Sequence, residues 1–318
     1  MTILAKNFFL PKHLASYILS KFNTHILHYL DITLASKSTC QMKYPPVFII
    51  GAPRSGSTLF YQAVIERYDL GYLTNLHCLF FGSPSLAEKL LFPAKWRQPM
   101  TFNSVHGVVS GLASPSECGA YWYRFFQRKP QYVSGKDADS HKMEELRLSL
   151  NMLSETFNKP FIFKNMNCAL RLQPLSRVVP EAIFLVTHRD IVDNAISLLN
   201  VRERVFGSYK QWWSMEPPQV ERLKKLPAHE QVVEQIVQIN ELIAENATII
   251  GNHKFFHIQH EEFCSDVYGV LSKVERFLSS HGIQLKCRDA ILPKKFTISK
   301  PDISTSIKEK IMDYAAQK

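Results

Sequence analysis

Residues 53–58 read Pro-Arg-Ser-Gly-Ser-Thr, which puts one guanidinium and three hydroxyls into a short loop. Such a loop can bind an anion. Backbone N–H groups and a helix N-terminus point at the negative charge, and Arg54, Ser55, Ser57 and Thr58 add donors around it. Gly51 and Gly56 bracket the loop with the spacing of a Walker A phosphate loop, but Ser57 stands where that motif carries its lysine. That lysine reaches the β/γ-phosphates of ATP, so the loop suits a different phosphate-bearing molecule. The bland alternative is an ordinary strand-to-helix turn rich in small residues, and the concentration of donors argues against it. A second constellation is Arg189 and Ser197, eight residues apart. Arginine supplies a planar fork for bidentate bonds and serine supplies a hydroxyl, so the pair could meet on one phosphate.

Both constellations need strand ends beneath them. Residues 47–50 are an apolar run leading into the loop, and residues 59–67 read as the helix that follows. Residues 182–187 read as a buried strand, running through His188-Arg189-Asp190 into a helix that carries Ser197 and Arg202. Further strands are expected at 161–164 and 254–258, and helices at 142–157, 170–177, 228–250 and 267–280. Residues 71–82 are expected to form a strand and then a loop, with His77 at the strand's end. Strands alternating with helices predict an α/β fold, a P-loop-containing and mostly parallel sheet flanked by helices. Ligands of such sheets sit at the carboxyl ends of strands. Arg54, Lys164 and Arg189 each fall at or just beyond such an end.

Two segments stand apart from this alternation. Residues 1–44 form an N-terminal segment in which Leu14, Tyr17, Ile18, Phe22, Ile26, Leu27 and Leu30 recur at helical spacing. An amphipathic helix packed on the domain is expected there, with a membrane-surface or dimer role as the alternatives. Residues 45–318 are expected to form one domain, interrupted at 83–140 by a Pro-, Ser- and aromatic-rich insertion that lies over the site.

The two constellations together resemble the sulfotransferases that use 3′-phosphoadenosine 5′-phosphosulfate (PAPS), in particular a bacterial, carbohydrate-sulfotransferase-like subgroup. In that family a Pro-Arg/Lys-Ser-Gly-Ser/Thr loop holds the 5′-phosphosulfate. An arginine and a serine eight residues apart hold the 3′-phosphate, and Arg189 and Ser197 have that spacing. The resemblance spans roughly residues 45–280. It implies PAPS as donor, 3′,5′-adenosine bisphosphate (PAP) as product and no metal. The implied acceptor is a hydroxylated small molecule or carbohydrate. His260 stands where the family commonly has an aromatic residue near the nucleotide, and Lys294 and Lys295 are candidates for basic cover over the 3′-phosphate. Membrane-anchored eukaryotic relatives carry an N-terminal span before the phosphate loop; no transmembrane stretch is seen here, so a cytoplasmic enzyme is expected.

Sulfuryl transfer needs cations for the leaving phosphate and a base for the acceptor's proton. Arg54 and Lys164 are the candidate cations. In cytosolic relatives the strand-end lysine is followed two residues on by a histidine base, but Met166 occupies that place and cannot accept a proton. Glu117, among small and aromatic residues in 114–122, is the first candidate base, since partial desolvation would raise its pKa toward a useful value. Capping of a helix N-terminus is its structural alternative. His77 is the second candidate, with a core role as its alternative. Trp213 could stack on adenine, stack on an acceptor or fill the core.

Composition fits this reading and narrows the rivals. The chain has 318 residues, 46% of them apolar, enough for a sizeable core, and a formal net charge of +10 that attracts a polyanionic ligand. The charges are dispersed and no nucleic-acid motif accompanies them, which disfavours the alternative of a basic nucleic-acid-binding protein. A P-loop kinase lacks its lysine. A protein kinase is suggested by His188-Arg189-Asp190, yet Ala195 stands where the catalytic-loop asparagine belongs. The six cysteines are scattered without a CxxC pair, so neither a zinc site nor a disulfide framework is implied.

Overall fold

Among the described residues four strands make the sheet: β1 (Val47–Gly51), β2 (Ile162–Lys164), β3 (Ile183–His188) and β4 (Phe255–Gln259). Their order is β2-β1-β3-β4 and every pair is parallel. The computed structural model describes residues 12–37, 42–91, 97–105, 107–298 and 302–318. Both faces of the sheet are covered, which is why β1 is apolar at successive positions rather than alternately. Phe48 and Ile50 join Phe163, Phe184 and Val186 in a core beneath the helices Ser140–Phe157, Ile191–Phe206 and Ala228–Ile250. Val47 and Ile49 join Ile162 and Leu185 on the other face, beneath Ser57–Arg67 and Val267–Ser280. This is the parallel, helix-flanked sheet expected, with strand bounds displaced by a residue or so.

The topology sets where a ligand can sit. The chain leaves the carboxyl end of β1 toward β2 and that of β3 toward β4, in opposite directions, which opens a crevice between β1 and β3. Register aligns Gly51 with Thr187 and His188 with Gln259, bringing the strand ends to one edge. Ser55 and Thr187 share a buried hydroxyl–hydroxyl hydrogen bond of 2.7 Å, which ties the loop after β1 to the end of β3.

Residues 71–82 correct the expected strand. Gly71 makes a single parallel bridge to Phe161, and Asn75–Leu79 is a helix. Thr74 explains the change. Its side chain accepts from the backbone N–H of His77, and its own N–H donates to His77 Nδ1 at 3.0 Å. This is a capping box in which histidine takes the place usual for glutamate or glutamine.

The N-terminal arm corrects a second expectation. Residues 12–37 are helical, as Lys12–Lys21, a π-helical turn Phe22–Leu27 and His28–Lys37. The face that meets the domain is not the apolar one. Asn23, Leu27, Asp31 and Ala35 are buried, whereas Leu14, Tyr17, Ile18, Phe22, Ile26 and Leu30 are exposed. A four-residue spacing drifts about 40° per step around an α-helix, and the wider π turn offsets that drift, keeping the buried stripe in line. Polar bonds hold it. Asn23 Nδ2 donates to the Leu79 carbonyl at 2.9 Å and its Oδ1 accepts from the Gly82 N–H at 2.8 Å. Asp31 accepts from Arg124 at 2.8 Å, Ser83 at 2.9 Å and Ser149 at 2.7 Å.

Candidate active site

A cavity of about 580 Å³ opens at the carboxyl edge of the sheet. The loop after β1 forms its floor. Gly56 adopts φ 84° and ends the loop, and the helix Ser57–Arg67 begins immediately after it. The first backbone N–H groups of a helix have no intrahelical partner, so Ser57 and Thr58 offer main-chain donors as well as hydroxyls. Both line the cavity with Arg54 and Gly56, whereas Ser55 is buried against Thr187 and holds the loop's shape.

Three strand ends supply the charged groups. Arg54 follows β1, Lys164 closes β2 and Arg189 follows β3, and all three line the cavity. Arg54 Nε donates to Ser197 Oγ at 3.1 Å, so the serine of the second constellation touches the arginine of the first. Ser197 itself is buried in the helix Ile191–Phe206. Burial, then the neighbouring guanidiniums of Arg189 and Arg204, hold the Arg54 pKa below its ordinary value. Gathered cations raise one another's cost, and an anion placed among them removes it.

Lys164 answers the missing Walker lysine. It is 4% exposed, and its Nζ donates to Thr58 Oγ1 at 3.1 Å, so β2 delivers an ammonium to the helix N-terminus. The same ammonium makes an ion pair with Glu117 Oε1. Asn165 Nδ2 donates to the Glu117 carbonyl at 3.1 Å. Glu117 is thus held at both its backbone and its carboxylate by the end of β2. Its setting differs from the desolvated pocket expected. The side chain is 38% exposed, and the N-cap position of the short helix Gly119–Trp122 is Cys118, so Glu117 is no helix cap.

Backbone strain marks the same places. Arg54 and Cys118 are non-glycine residues at φ 70° and 44°. Left-handed conformations of this kind cost about 1–3 kcal/mol each and gather at functional sites.

The other predicted residues sort cleanly. His260 begins the helix after β4 and lines the cavity, its ring so close to Gly56 that a β-carbon there would collide with Nδ1. Burial, then the charge of Arg189, lowers its pKa below the ordinary histidine value. Trp213 lines the cavity too. His77 does not. It is 1% exposed, its Nδ1 serves the Thr74 cap, its Nε2 pairs with Glu88 at 3.2 Å, and its ring packs on Phe157. That is a core histidine, set apart from the reacting groups. Lys294 and Lys295 are exposed and off the cavity, whereas nearby Thr297 lines it. Asp190 caps the helix Ile191–Phe206, accepting from the N–H groups of Val192 and Asp193. It therefore has a structural job rather than that of a kinase base.

Some contributors carried no sequence signal. Tyr123 and Gln131 line the wall facing the loop. Buried Arg171 supports both: Nε donates to the Gln131 carbonyl at 3.1 Å, and its guanidinium lies 5.5 Å from the Tyr123 ring centroid. Gly107, at φ 89°, brings the insertion over Thr58, Glu117 and Lys164. Asn165 directly follows Lys164, and the strand-end position of that lysine is the sequence signal that points to it.

The profile of the Sulfotransferase family matches residues 45–281, and the chain belongs to that family. Omega-hydroxy-beta-dihydromenaquinone-9 sulfotransferase Stf3 of Mycobacterium bovis is 22% identical over 261 residues, covering 74% of this chain and 62% of that protein. The Mycobacterium tuberculosis protein of the same name gives the same figures. The chain thus spans 62% of the length of these curated relatives. Among solved structures, sulfotransferase STF9 from Mycobacterium avium superposes with a TM-score of 0.55 at 15% identity, covering 95% of this chain and 76% of the other. Sulfotransferase STF1 from Mycobacterium tuberculosis gives 0.55 at 12% identity, covering 96% and 85%. These similarities establish a common fold.

Proposed function

We propose that this protein moves a sulfuryl group from PAPS to a hydroxyl of an acceptor. The observation that carries the reading is the meeting, in one cavity, of Arg54, Lys164 and Arg189 with a helix N-terminus and the tethered carboxylate of Glu117. When bound, PAPS supplies an activated sulfuryl group on a phosphate that must leave as an anion. Ser57 and Thr58, with the N–H groups of their helical turn, suit the 5′ end of that donor. Arg189 and Ser197 suit its 3′-phosphate, and His260, packed on Gly56, suits the side of the nucleotide. A left-handed Gly56 with no side chain fits a loop that must wrap an anion closely.

Glu117 takes the acceptor hydroxyl's proton onto its carboxylate. Lys164, bonded to both Glu117 and Thr58, stands between base and phosphate loop, where its charge offsets negative charge on either side. Arg54 stabilises the leaving phosphate from the loop. Tyr123, Met166, Trp213 and Met215 give the cavity an aromatic and thioether wall, suited to an acceptor that presents its hydroxyl on an apolar or ring-shaped body. The hydroxylated menaquinone in the Mycobacterium relatives' name is of that kind.

Thermal shift and turnover test the reading together. PAP should raise the melting temperature while Mg-ATP should not, and transfer of label from PAPS to a hydroxylated acceptor should continue in a chelator. Stabilisation by Mg-ATP alone, with chelator-sensitive turnover, would replace it with a P-loop kinase.

A further inference from the structure

We propose that the helical arm, residues 12–37, docks the enzyme on an anionic bilayer surface, lying in the interface rather than crossing it. The arm's exposure is inverted. Its inner stripe is held by the polar bonds of Asn23 and Asp31, while Leu14, Tyr17, Ile18, Ile26, Tyr29 and Leu34 stand in solvent at 46%, 59%, 52%, 51%, 68% and 48% exposure. A helix that only needed to pack on its own domain would turn those side chains inward. Burial of an apolar face at the headgroup boundary is the alternative that uses them. Among the described residues no helix is long and apolar enough to cross a membrane.

Charge selects the occupant. Residues 1–43 carry Lys6, Lys12, Lys21, Lys37 and Lys43 and a single acid, Asp31. Asp31 is buried in its ion pair with Arg124, whereas Lys21, His25 and Lys37 are exposed on the arm. The outward charge is therefore of one sign. Basic residues interspersed with an apolar face match anionic headgroups. Across a two-fold contact with a second copy the same lysines would face a surface of their own sign, which disfavours self-pairing.

The arm is also connected to the mouth of the cavity. Asn23 bonds the Leu79 carbonyl at one end of the helix Asn75–Leu79, and at the other the Leu76 N–H donates to the Leu112 carbonyl at 2.9 Å. Asn75 Nδ2 donates to the carbonyls of Val109 and Gly111 at 2.7 and 2.8 Å. The segment so held includes Val105, Val108 and Leu112, all more than half exposed, on either side of the cavity-lining Gly107. Bilayer docking of the arm would bring this apolar rim toward the same surface. In that position an acceptor hydroxyl carried on a lipid-embedded molecule could enter the cavity. This last clause rests on the sulfotransferase reading, whereas the docking itself does not.

Vesicle flotation of the full chain tests it, with phosphatidylglycerol/phosphatidylcholine vesicles against pure phosphatidylcholine at low and high salt. The wild type should float with the anionic vesicles, less with neutral ones, and less at high salt. Ile18→Glu/Ile26→Glu should lower the partition by roughly tenfold or more for each side chain removed from the interface. Both sites are exposed, so the variant should keep the wild-type melting temperature and its shift with PAP. Loss of that PAP shift in both proteins would count against the proposed chemistry and leave docking standing. Equal flotation of variant and wild type, or none by either, overturns the docking. So does a wild-type dimer by light scattering that the variant converts to monomer without any flotation, since the apolar face would then belong to a second copy.

Discussion

The two walls of the cavity are built in different ways. The floor, Gly51 to Thr58 with Arg189, hangs on adjacent strands of one sheet, and its shape is fixed by backbone pairing, a buried Ser55–Thr187 bond and a helix start. The facing wall, from Gly107 through Glu117 to Gln131, has little regular structure. It is held by side chains reaching in from elsewhere: Lys164 and Asn165 on Glu117, Arg171 on Gln131, and Asn75 on Val109 and Gly111. A strand-built floor holds its loop and strand-end side chains in one geometry, which suits the proposed anion site. A wall pinned at a few points can change its lining residues without disturbing the sheet, as suits the proposed acceptor side. Lys164 belongs to both, bonded to Thr58 on one side and Glu117 on the other.

Substitutions that hit one wall and spare the other sharpen this division. The largest effect is expected at the base. Glu117→Gln keeps the shape and removes the proton acceptor, so kcat should fall by roughly a hundredfold or more while PAP affinity hardly changes. Near-normal turnover would remove Glu117 from the chemistry. Next is the anion site. Arg189→Ala should weaken PAP binding by about 1.5–3 kcal/mol, with Ser197→Ala in the same direction, and leave the far-ultraviolet circular dichroism intact. Unchanged PAP affinity in both variants would sink the 3′-phosphate assignment.

A pair of glycines compares the walls directly. Gly56 and Gly107 both have positive φ, 84° and 89°. A β-carbon at Gly56 would collide with the His260 ring, whereas at Gly107 the nearest atom, Thr58 Oγ1, is 3.4 Å away. Each alanine pays about 1–3 kcal/mol of backbone strain by denaturant titration. Only Gly56→Ala should also weaken PAP binding, by displacing His260. Equal losses of PAP affinity would mean the two walls are not independent.

A further effect is on stability against pH. His188 Nε2 lies 2.8 Å from His257 Nδ1 at the ends of β3 and β4. Burial first, then the charge of His257, lowers the His188 pKa from 6.5 to about 4. Between those values the unfolded chain holds the extra proton, so stability rises with pH through that window. The melting temperature should be full above pH 6.5 and decline as pH falls toward 4, and His188→Gln should flatten the decline. An unaltered slope in the variant would place its source elsewhere.

The floor was readable in the sequence because its determinants are local. A loop of six residues and an arginine–serine spacing of eight carry it, and apolar runs announce the strands beneath. The wall was less so because its contacts are distant: Glu117 meets Lys164 across 47 positions and Arg171 meets Gln131 across 40. His77 was misplaced for a related reason. Its role comes from a cap at Thr74 that turns an apolar run from strand to helix, and periodicity does not register a cap. The arm is helical as its spacing predicts, but another face meets the domain. Apolar spacing predicts an inward apolar face, whereas Asn23 and Asp31 find buried partners that only the folded chain supplies.

Titration calorimetry of PAP into the wild type, Arg189→Ala and Glu117→Gln puts the central claim to one measurement. The account predicts tight binding to the wild type, binding weaker by about tenfold or more in Arg189→Ala, and an unchanged affinity in Glu117→Gln. No binding to the wild type, or a loss in Glu117→Gln as large as that in Arg189→Ala, would contradict it.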